Sequence, residues 1–344
     1  MPTTVSDLAG QIRPTPVLAV TVGFHGRRHR VLLKRECELP TGSIKFRTAV
    51  GLVQDLDRAS PLRPGTVVVE STSGGLGCAL AHLLTPLGCH LIAVIDPKTP
   101  AATRRELVDA GVRLHCVTEE DGYGGYLYTR LRLVRELCLA NPAYRWTNQY
   151  ENPANPRIHR LTTGPEIVAQ GGPELDAVYV AVSTGGTLAG IAAHVRSLRR
   201  QIRLVAVDAS GSHAVGRQAN RWRYLPGIGS SRRALHVRPG SYDSAAHVPD
   251  AEAIALCQWF HADTGIRLGG SSGHVLAACL ADLAGLGGSP PPVRPLCVCA
   301  DDGDRYLDTV YDPQWPAAVA MAGEIDEAVD RFRRGGLTFS LDPG

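Results

Sequence analysis

Val67-Val68-Val69-Glu70-Ser71-Thr72-Ser73-Gly74-Gly75-Leu76-Gly77 decides the fold class. Three β-branched residues make a strand, the Ser/Thr/Gly cluster makes a loop, and Leu80, Leu83 and Leu84 at helical spacing open a helix. The unit repeats outward. A helical run, Thr48–Asp57, precedes it. After it come the strand Leu91–Ile95, a helix beginning at Thr99 or Thr103 and running through Leu107, the strand Val112–Val117 and a helix over 126–140. Strand–helix alternation of this length implies an α/β fold with a mainly parallel sheet covered by helices on both faces.

The alternation pauses at Thr147–His159, a polar stretch that reads as a connection between lobes. It resumes with a helix near Thr163–Ala169, the strand Ala177–Val182, a helix through Leu198 and the strand Leu204–Val207. Further on come helices at Ala251–Phe260 and Val275–Leu283, the strand Leu296–Cys299 and a C-terminal helix, Ala317–Phe332. Gly287–Pro292 reads as a surface loop. Near the N-terminus two strands, Val17–Val22 and Val31–Leu33, flank a basic hairpin loop, Gly23–Arg30. A chain of 344 residues exceeds one ordinary core, so two lobes are expected.

A net charge of +3 is too small to imply a nucleic-acid or membrane partner. No basic-then-apolar leader and no apolar run of 18 residues is present, so a cytoplasmic protein is expected. Nine cysteines without a CxxC pair read as small buried hydrophobes in a reducing compartment. The 12 histidines show no ligand spacing with carboxylates or cysteines, so no metal site is expected.

The chemistry centres on Lys45, in Pro40-Thr41-Gly42-Ser43-Ile44-Lys45-Phe46-Arg47. Only three lysines, Lys34, Lys45 and Lys98, stand against 33 arginines. Arginine cannot lose its proton in a protein; lysine can, and a helix start disfavours its charged form. The loop Ser183-Thr184-Gly185-Gly186-Thr187 fits a monophosphate, with consecutive backbone N–H groups, a helix N-terminus and three hydroxyls. Ser71, Thr72, Ser73 and Gly74 can hold a carboxylate in the same way. Ser271 and Ser272, in Gly269–Gly273, supply neutral hydroxyls. A lysine, a cation-free phosphate cradle, a carboxylate cradle and a neutral hydroxyl together point to pyridoxal 5′-phosphate.

These stretches resemble the cysteine synthase group of fold-type II pyridoxal phosphate enzymes, over nearly the whole chain. Pro40–Lys45 matches the family's Schiff-base segment, Thr72–Gly77 its substrate-carboxylate loop, Ser183–Thr187 its phosphate loop, and Gly270–Gly273 the loop whose first serine, Ser271, meets the pyridine nitrogen. Asn152–Pro156, His159 and Thr162–Glu166 extend the match. The resemblance implies a tryptophan synthase β-like fold of two lobes, each with a mainly parallel sheet flanked by helices. Residues 1–43 and 151–344 would form the large cofactor-binding domain and 44–150 a smaller mobile substrate-binding domain.

Further stretches carry a closer likeness: Gly124–Arg130, Asn148-Gln149-Tyr150, Val205–Ala209, Leu225–Arg232 and Gly303–Asp308. They resemble the branch that joins O-phospho-L-serine to the amine of L-glutamate by β-replacement through an α-aminoacrylate. That branch makes N-(2-amino-2-carboxyethyl)-L-glutamate, a source of 2,3-diaminopropionate for siderophores and peptide antibiotics. The resemblance implies a homodimeric transferase with amino-acid substrates. Arg130, Gln149, Tyr150, Gly227 and Ser230 are the candidate substrate residues beside the Ser71–Gly74 loop. A cysteine synthase acting on O-acetylserine or O-phosphoserine with sulfide or thiosulfate, and a non-catalytic cofactor-binding paralogue, remain as alternatives. Two positions depart from the family pattern: Gly75 stands where an Asn meeting the cofactor's 3′-oxygen is usual, and Phe46 where an Asp is usual.

Overall fold

A computed structural model describes residues 4–72, 74–198, 200–286 and 291–342. The chain opens with α1 (Val5–Leu8), β1 (Val17–Phe24), β2 (Arg27–Arg35) and α2 (Lys45–Ala59). Next come β3 (Val67–Ser71), α3 (Gly75–Leu84), β4 (His90–Ile95), α4 (Ala101–Asp109), β5 (Arg113–Cys116), α5 (Leu127–Ala140) and β6 (Arg145–Trp146). The middle runs α6 (Ala154–Leu161), α7 (Thr163–Gly171), β7 (Ala177–Ala181), α8 (Gly186–Ser197), β8 (Arg203–Ala209) and β9 (Ser244–Val248). It ends with α9 (Asp250–Thr264), α10 (Gly270–Leu283), β10 (Pro295–Cys299), α11 (Trp315–Ala318), α12 (Ala322–Arg334) and β11 (Thr338–Leu341).

Two sheets organise these elements. A four-stranded sheet of order β5-β4-β3-β6 is parallel throughout, and a seven-stranded sheet of order β11-β1-β2-β10-β7-β8-β9 is parallel from β2 to β9. The burial of Val68–Ser71, Val178–Val180 and Pro295–Cys299 on both strand faces follows from helices covering both sides. One core, with Leu52, Leu80, Leu83, Leu91 and Ile95, lies under the small sheet; two more, around Phe260 and Val275 and around Val180 and Ile191, flank the large one. The C-terminal ends of β3, β7 and β10 lead into Thr72–Gly77, Ser183–Thr187 and Asp301–Tyr306, where open α/β sheets bind ligands.

Three local expectations change. The basic stretch Gly23–Arg30 is not a long loop. His25 and Gly26, both at positive φ, make a two-residue turn, so Arg27, Arg28 and Arg30 belong to β2. Thr147–His159 is not wholly a connection: α6 starts at Ala154, where the Asn152 side chain accepts the Ala154 N–H and Ala154 and Ile158 face inward. The C-terminal helix is split at Ala320, whose φ of 57° separates α11 from α12. Of the expected loop Gly287–Pro292, residues 287–290 lie outside the described residues. Among the described residues no helix is long and apolar enough to cross a membrane.

Candidate active site

A cleft of about 1000 Å³, its open mouth included, lies between the two sheets. Lys45, Thr72, Gly74, Gly75, Gln149, Tyr150, Ser183, Thr184, Gly185, Thr187, Gly227 and Ser271 all line it. Lys45 is the first residue of α2, so its amine sits at the positive end of that helix. Burial pulls its pKa below the ordinary lysine value, with the Asp301 charge opposing. The amine therefore gives up its proton more readily than an ordinary lysine does, which favours a nucleophilic role.

The phosphate loop is clamped from behind. Gly185 sits at φ 83° and Gly186 opens the twelve-residue α8. A Cβ on Gly186 would lie 2.0 Å from Asn155 Oδ1, and one on Gly185 would lie 2.5 Å from Val237. Only glycine backbone fits there; Gly185 lines the cleft, while the Gly186 N–H lies behind it and donates to Thr184 Oγ1 at 3.4 Å. Asn155 Nδ2 donates to Thr184 Oγ1 (3.2 Å) and to the Gln149 carbonyl (2.8 Å). His159 Nε2 meets Thr187 Oγ1 (3.3 Å) and Thr48 Oγ1 (3.1 Å), while its Nδ1 meets Thr163 Oγ1 (2.9 Å). Burial first, then the charges of Arg47, Lys45 and His236, push the His159 pKa well below its ordinary value. A neutral imidazole holds the loop hydroxyl, and the loop itself carries no lysine or arginine.

The carboxylate loop is built differently along its length. Thr72 Oγ1 accepts the Gly77 N–H at 3.1 Å and so caps α3. Ser71 is the buried last residue of β3; it does not line the cleft, and its hydroxyl has no partner among the described residues. Ser73 lies outside the described residues. Gln149 Nε2 is taken up by the Ser71 carbonyl at 2.8 Å. Behind it, buried Glu70 accepts N–H bonds from Ser71 and Gln149 and a hydroxyl bond from Thr147.

Arg130 and Ser230 are not in this cleft. They line a second cavity that shares Tyr150, Ser183, Pro226 and Gly227 with it. Arg130 pairs with Asp96 (Nε to Oδ2, 3.1 Å), and its Nη1 has no hydrogen-bond partner among the described residues.

Both departures from the family pattern have a structural counterpart. A Cβ on Gly75 would sit 2.9 Å from Ser43 Oγ and 3.1 Å from Ser43 Cβ. The Ser43 side chain therefore fills the space a larger residue would need. Phe46 is fully buried in the core under the small sheet, edge-on to His82 at 5.8 Å. It faces core rather than cleft.

Sequence reasoning missed Asp301. It lines the cleft, its Oδ2 accepts the Tyr306 hydroxyl at 2.8 Å, and its Oδ1 has no partner. Burial raises its pKa to about 6. Its signal was an Asp-Asp pair directly after a strand. Lys98 and Arg223, in the second cavity, were also missed; of the two only Lys98 carried a signal, its rarity.

The residues present fit pyridoxal phosphate. The glycine cradle, which any Cβ would fill, suits its phosphate; the low-pKa amine of Lys45 suits its aldehyde; and the buried hydroxyl of Ser271, at the start of α10, suits its ring nitrogen.

Comparison with known proteins agrees with this fit. Residues 8–297 match the family model described as pyridoxal-phosphate dependent enzyme. The chain is 37% identical over 308 residues to an N-(2-amino-2-carboxyethyl)-L-glutamate synthase of Ralstonia nicotianae, covering 90% of each chain. It is 38% identical over 315 residues to a protein of the same name from Cupriavidus metallidurans, covering 92% of each. Among solved structures, O-ureido-L-serine synthase superposes with a TM-score of 0.78 at 28% identity, over 89% of this chain and 95% of that one.

Proposed function

Because the chain belongs to the family of pyridoxal-phosphate dependent enzymes, we propose that it carries out β-replacement on O-phospho-L-serine with the amine of L-glutamate. Phosphate leaves, the glutamate nitrogen bonds to Cβ, and N-(2-amino-2-carboxyethyl)-L-glutamate is the product. The observation that carries this reading is the pairing of a buried lysine of lowered pKa with an adjoining cavity lined by Arg130, whose Nη1 has no hydrogen-bond partner among the described residues. Sulfide needs no such cation; a phosphate or a dicarboxylate does.

Pyridoxal phosphate, when bound, supplies an aldehyde that condenses with amines and a ring that draws electrons from the α-carbon of an attached amino acid. The chain's own residues do the rest. Ser183, Thr184, Gly185, Gly186 and Thr187 would hold the cofactor's phosphate, and the neutral Ser271 hydroxyl would serve its ring nitrogen. Thr72 and the N–H groups at Gly74 and Gly75 orient the substrate carboxylate, with Tyr150 beside them. The Lys45 amine removes the Cα proton of the first substrate, and returns a proton to Cα once the second amine has added to Cβ. Release of phosphate before glutamate enters gives ping-pong kinetics.

Residues 44–150, which contain the whole small sheet, act as the mobile substrate-binding domain against 1–43 and 151–344, and their closure keeps water from the reacting carbon. The working form is a cytoplasmic homodimer, in keeping with nine unpaired cysteines and with the prevalence of symmetric dimers. The product would supply 2,3-diaminopropionate to a siderophore or peptide antibiotic.

The test is product analysis. Protein loaded with pyridoxal phosphate, O-phospho-L-serine and L-glutamate is expected to release one phosphate per molecule of N-(2-amino-2-carboxyethyl)-L-glutamate formed. Cysteine formed from sulfide, with no glutamate adduct, would replace this reading with that of a cysteine synthase.

A further inference from the structure

Among the residues lining the second cavity, cations outnumber carboxylates three to one. Lys98, Arg130 and Arg223 line it, together with one carboxylate, Asp96. That carboxylate is already committed: Oδ2 pairs with Arg130 Nε at 3.1 Å and Oδ1 accepts the Lys98 backbone N–H at 2.9 Å. Among the described residues neither Lys98 nor Arg223 forms an ion pair. Lys98 Nζ donates to the carbonyls of Arg223 (2.8 Å) and Gly124 (3.3 Å) and lies 4.6 Å over the Trp222 ring. Arg223 Nη1 donates to the carbonyls of Gly211 (2.8 Å) and Tyr123 (3.0 Å), and its Nη2 to Ser231 Oγ (3.4 Å).

Carbonyl oxygens and an aromatic face orient these cations; the carboxylates of Asp121, Asp208 and Asp250 act on Arg223, and those of Asp96 and Asp250 on Lys98, only from beyond ion-pair distance. Arg130 is 6% exposed and Arg223 5% exposed, so water does not cancel their charge. Burial, then the Arg223 charge, brings the Lys98 pKa down to about 8, and burial lowers that of Arg223. Both shifts follow first from burial, and the nearby carboxylates offset them only in part. The unpartnered Nη1 of Arg130 supplies a donor already in place. The cavity meets the Lys45 cleft at Tyr150, Ser183, Pro226 and Gly227, so whatever fills it is tethered to a group reacting beside Lys45.

We infer that this cavity is the specificity pocket for the second substrate: Arg130, Arg223, Lys98 and Ser231 receive the distal carboxylate of the amine that adds to Cβ. The inference rests on the β-replacement reading and deepens it. It assigns Lys98, Arg223 and Ser231, which are distant in sequence from the cofactor loops, to selection of a dicarboxylic amine. The phosphate of the first substrate has the same anionic chemistry, and the two half-reactions separate the two sources.

The experiment uses the cofactor-loaded enzyme and reads each half-reaction alone. The first is phosphate release from O-phospho-L-serine with no amine present. The second is adduct formation with L-glutamate, L-glutamine or L-norvaline, the last two lacking the distal charge. For the native enzyme, glutamate is expected to exceed both in kcat/KM by roughly tenfold to a hundredfold, the loss that follows when a charge-assisted hydrogen bond is left unmade. In Arg223→Gln and in Ser231→Asp, which places a carboxylate against Arg223 without removing the cation, that preference is expected to collapse through KM. Phosphate release is expected to change far less. Far-UV circular dichroism and cofactor uptake verify that each variant is folded, and the amine panel on the native enzyme needs no variant.

Glutamate and glutamine reacting alike in the native enzyme would overturn the pocket while leaving β-replacement standing. So would a preference that survives in both variants. Slowed phosphate release with the preference intact would give the cavity to the leaving phosphate instead. Phosphate release with no amine incorporated would overturn the glutamate reading itself, and the pocket with it.

Discussion

Two buried charged clusters lie two residues apart in sequence and could hardly be treated more differently. Arg47 reaches back to a closed network: its Nε and Nη2 bond Glu36 (2.7 and 3.1 Å), and its Nη1 and Nη2 bond Glu166 (2.6 and 2.7 Å). Lys34 completes the network with bonds to Glu166 (2.8 Å), Gln170 (2.9 Å) and Thr15 Oγ1 (2.8 Å). Arg47, Lys34 and Glu36 are fully buried, and each charge meets its opposite. Across the helix start, Lys45 has no ion pair among the described residues, Asp301 leaves one oxygen unpartnered, and Arg130 leaves a nitrogen so. The closed network fixes α2 against α7; the open one leaves polar atoms without partners beside the two cavities. Neither burial nor charge separates structural from functional groups here. The completeness of pairing does.

Breaking each side should give opposite signatures. Lys45→Ala is expected to cut turnover of the loaded enzyme by about a hundredfold to ten-thousandfold or more. In urea unfolding of the cofactor-free protein it should leave the midpoint no lower than native, because it removes a buried amine that has no counter-ion. Arg47→Met should do the reverse. It leaves Lys34 alone to balance both Glu36 and Glu166, and the same urea titration is expected to show a loss of about 3–5 kcal/mol.

Asp301 sharpens the comparison through pH. Its folded pKa of about 6 lies above the ordinary aspartate value of 3.8, so the folded state holds the proton more tightly between these values. Its contribution is therefore lost as pH rises through about 6, and the full penalty is present at pH 8. Asp301→Asn is expected to stabilise the cofactor-free protein by about 2–3 kcal/mol at pH 8, with the difference vanishing near pH 4. Urea titrations at the two pH values measure it.

The smallest effect concerns Gly75. Gly75→Asn drives a side chain into Ser43 Oγ, 2.9 Å from its Cβ, and is expected to cost about 1–2 kcal/mol. Adding Ser43→Gly should recover most of that in a double-mutant cycle, since the two residues compete for one space.

What the sequence makes legible follows the same division. Lys45, the Ser183–Thr187 loop and Ser271 each carry a local signature: a rare lysine after a turn, or small residues between a strand and a helix. The structure brings them to one cleft. Strand β3 and helix α3 were visible for the same reason, since hydrophobic period and glycine loop adjoin. Asp301, Lys98 and Arg223 matter through neighbours far away in the chain, such as Lys45 for Asp301 and Tyr123 for Arg223. No spacing rule reports such a meeting. Ser71 shows the converse failure: its type and place fit the carboxylate loop, but strand alternation turns its side chain away from the cleft. Helix α6 was hidden because its polar residues serve buried hydrogen bonds, Asn155 to Thr184 and His159 to Thr187, which blurs the apolar period.

The central claim is that Lys45 holds the cofactor and works on O-phospho-L-serine before glutamate enters. A visible absorption scan of the loaded protein tests it most directly. A long-wavelength band from the lysine-linked cofactor should change when O-phospho-L-serine is added, stay changed without glutamate, and return when L-glutamate is added. A band that ignores O-phospho-L-serine but responds to O-acetyl-L-serine would contradict the assigned substrate, and the absence of any band in protein supplied with cofactor would contradict the role of Lys45.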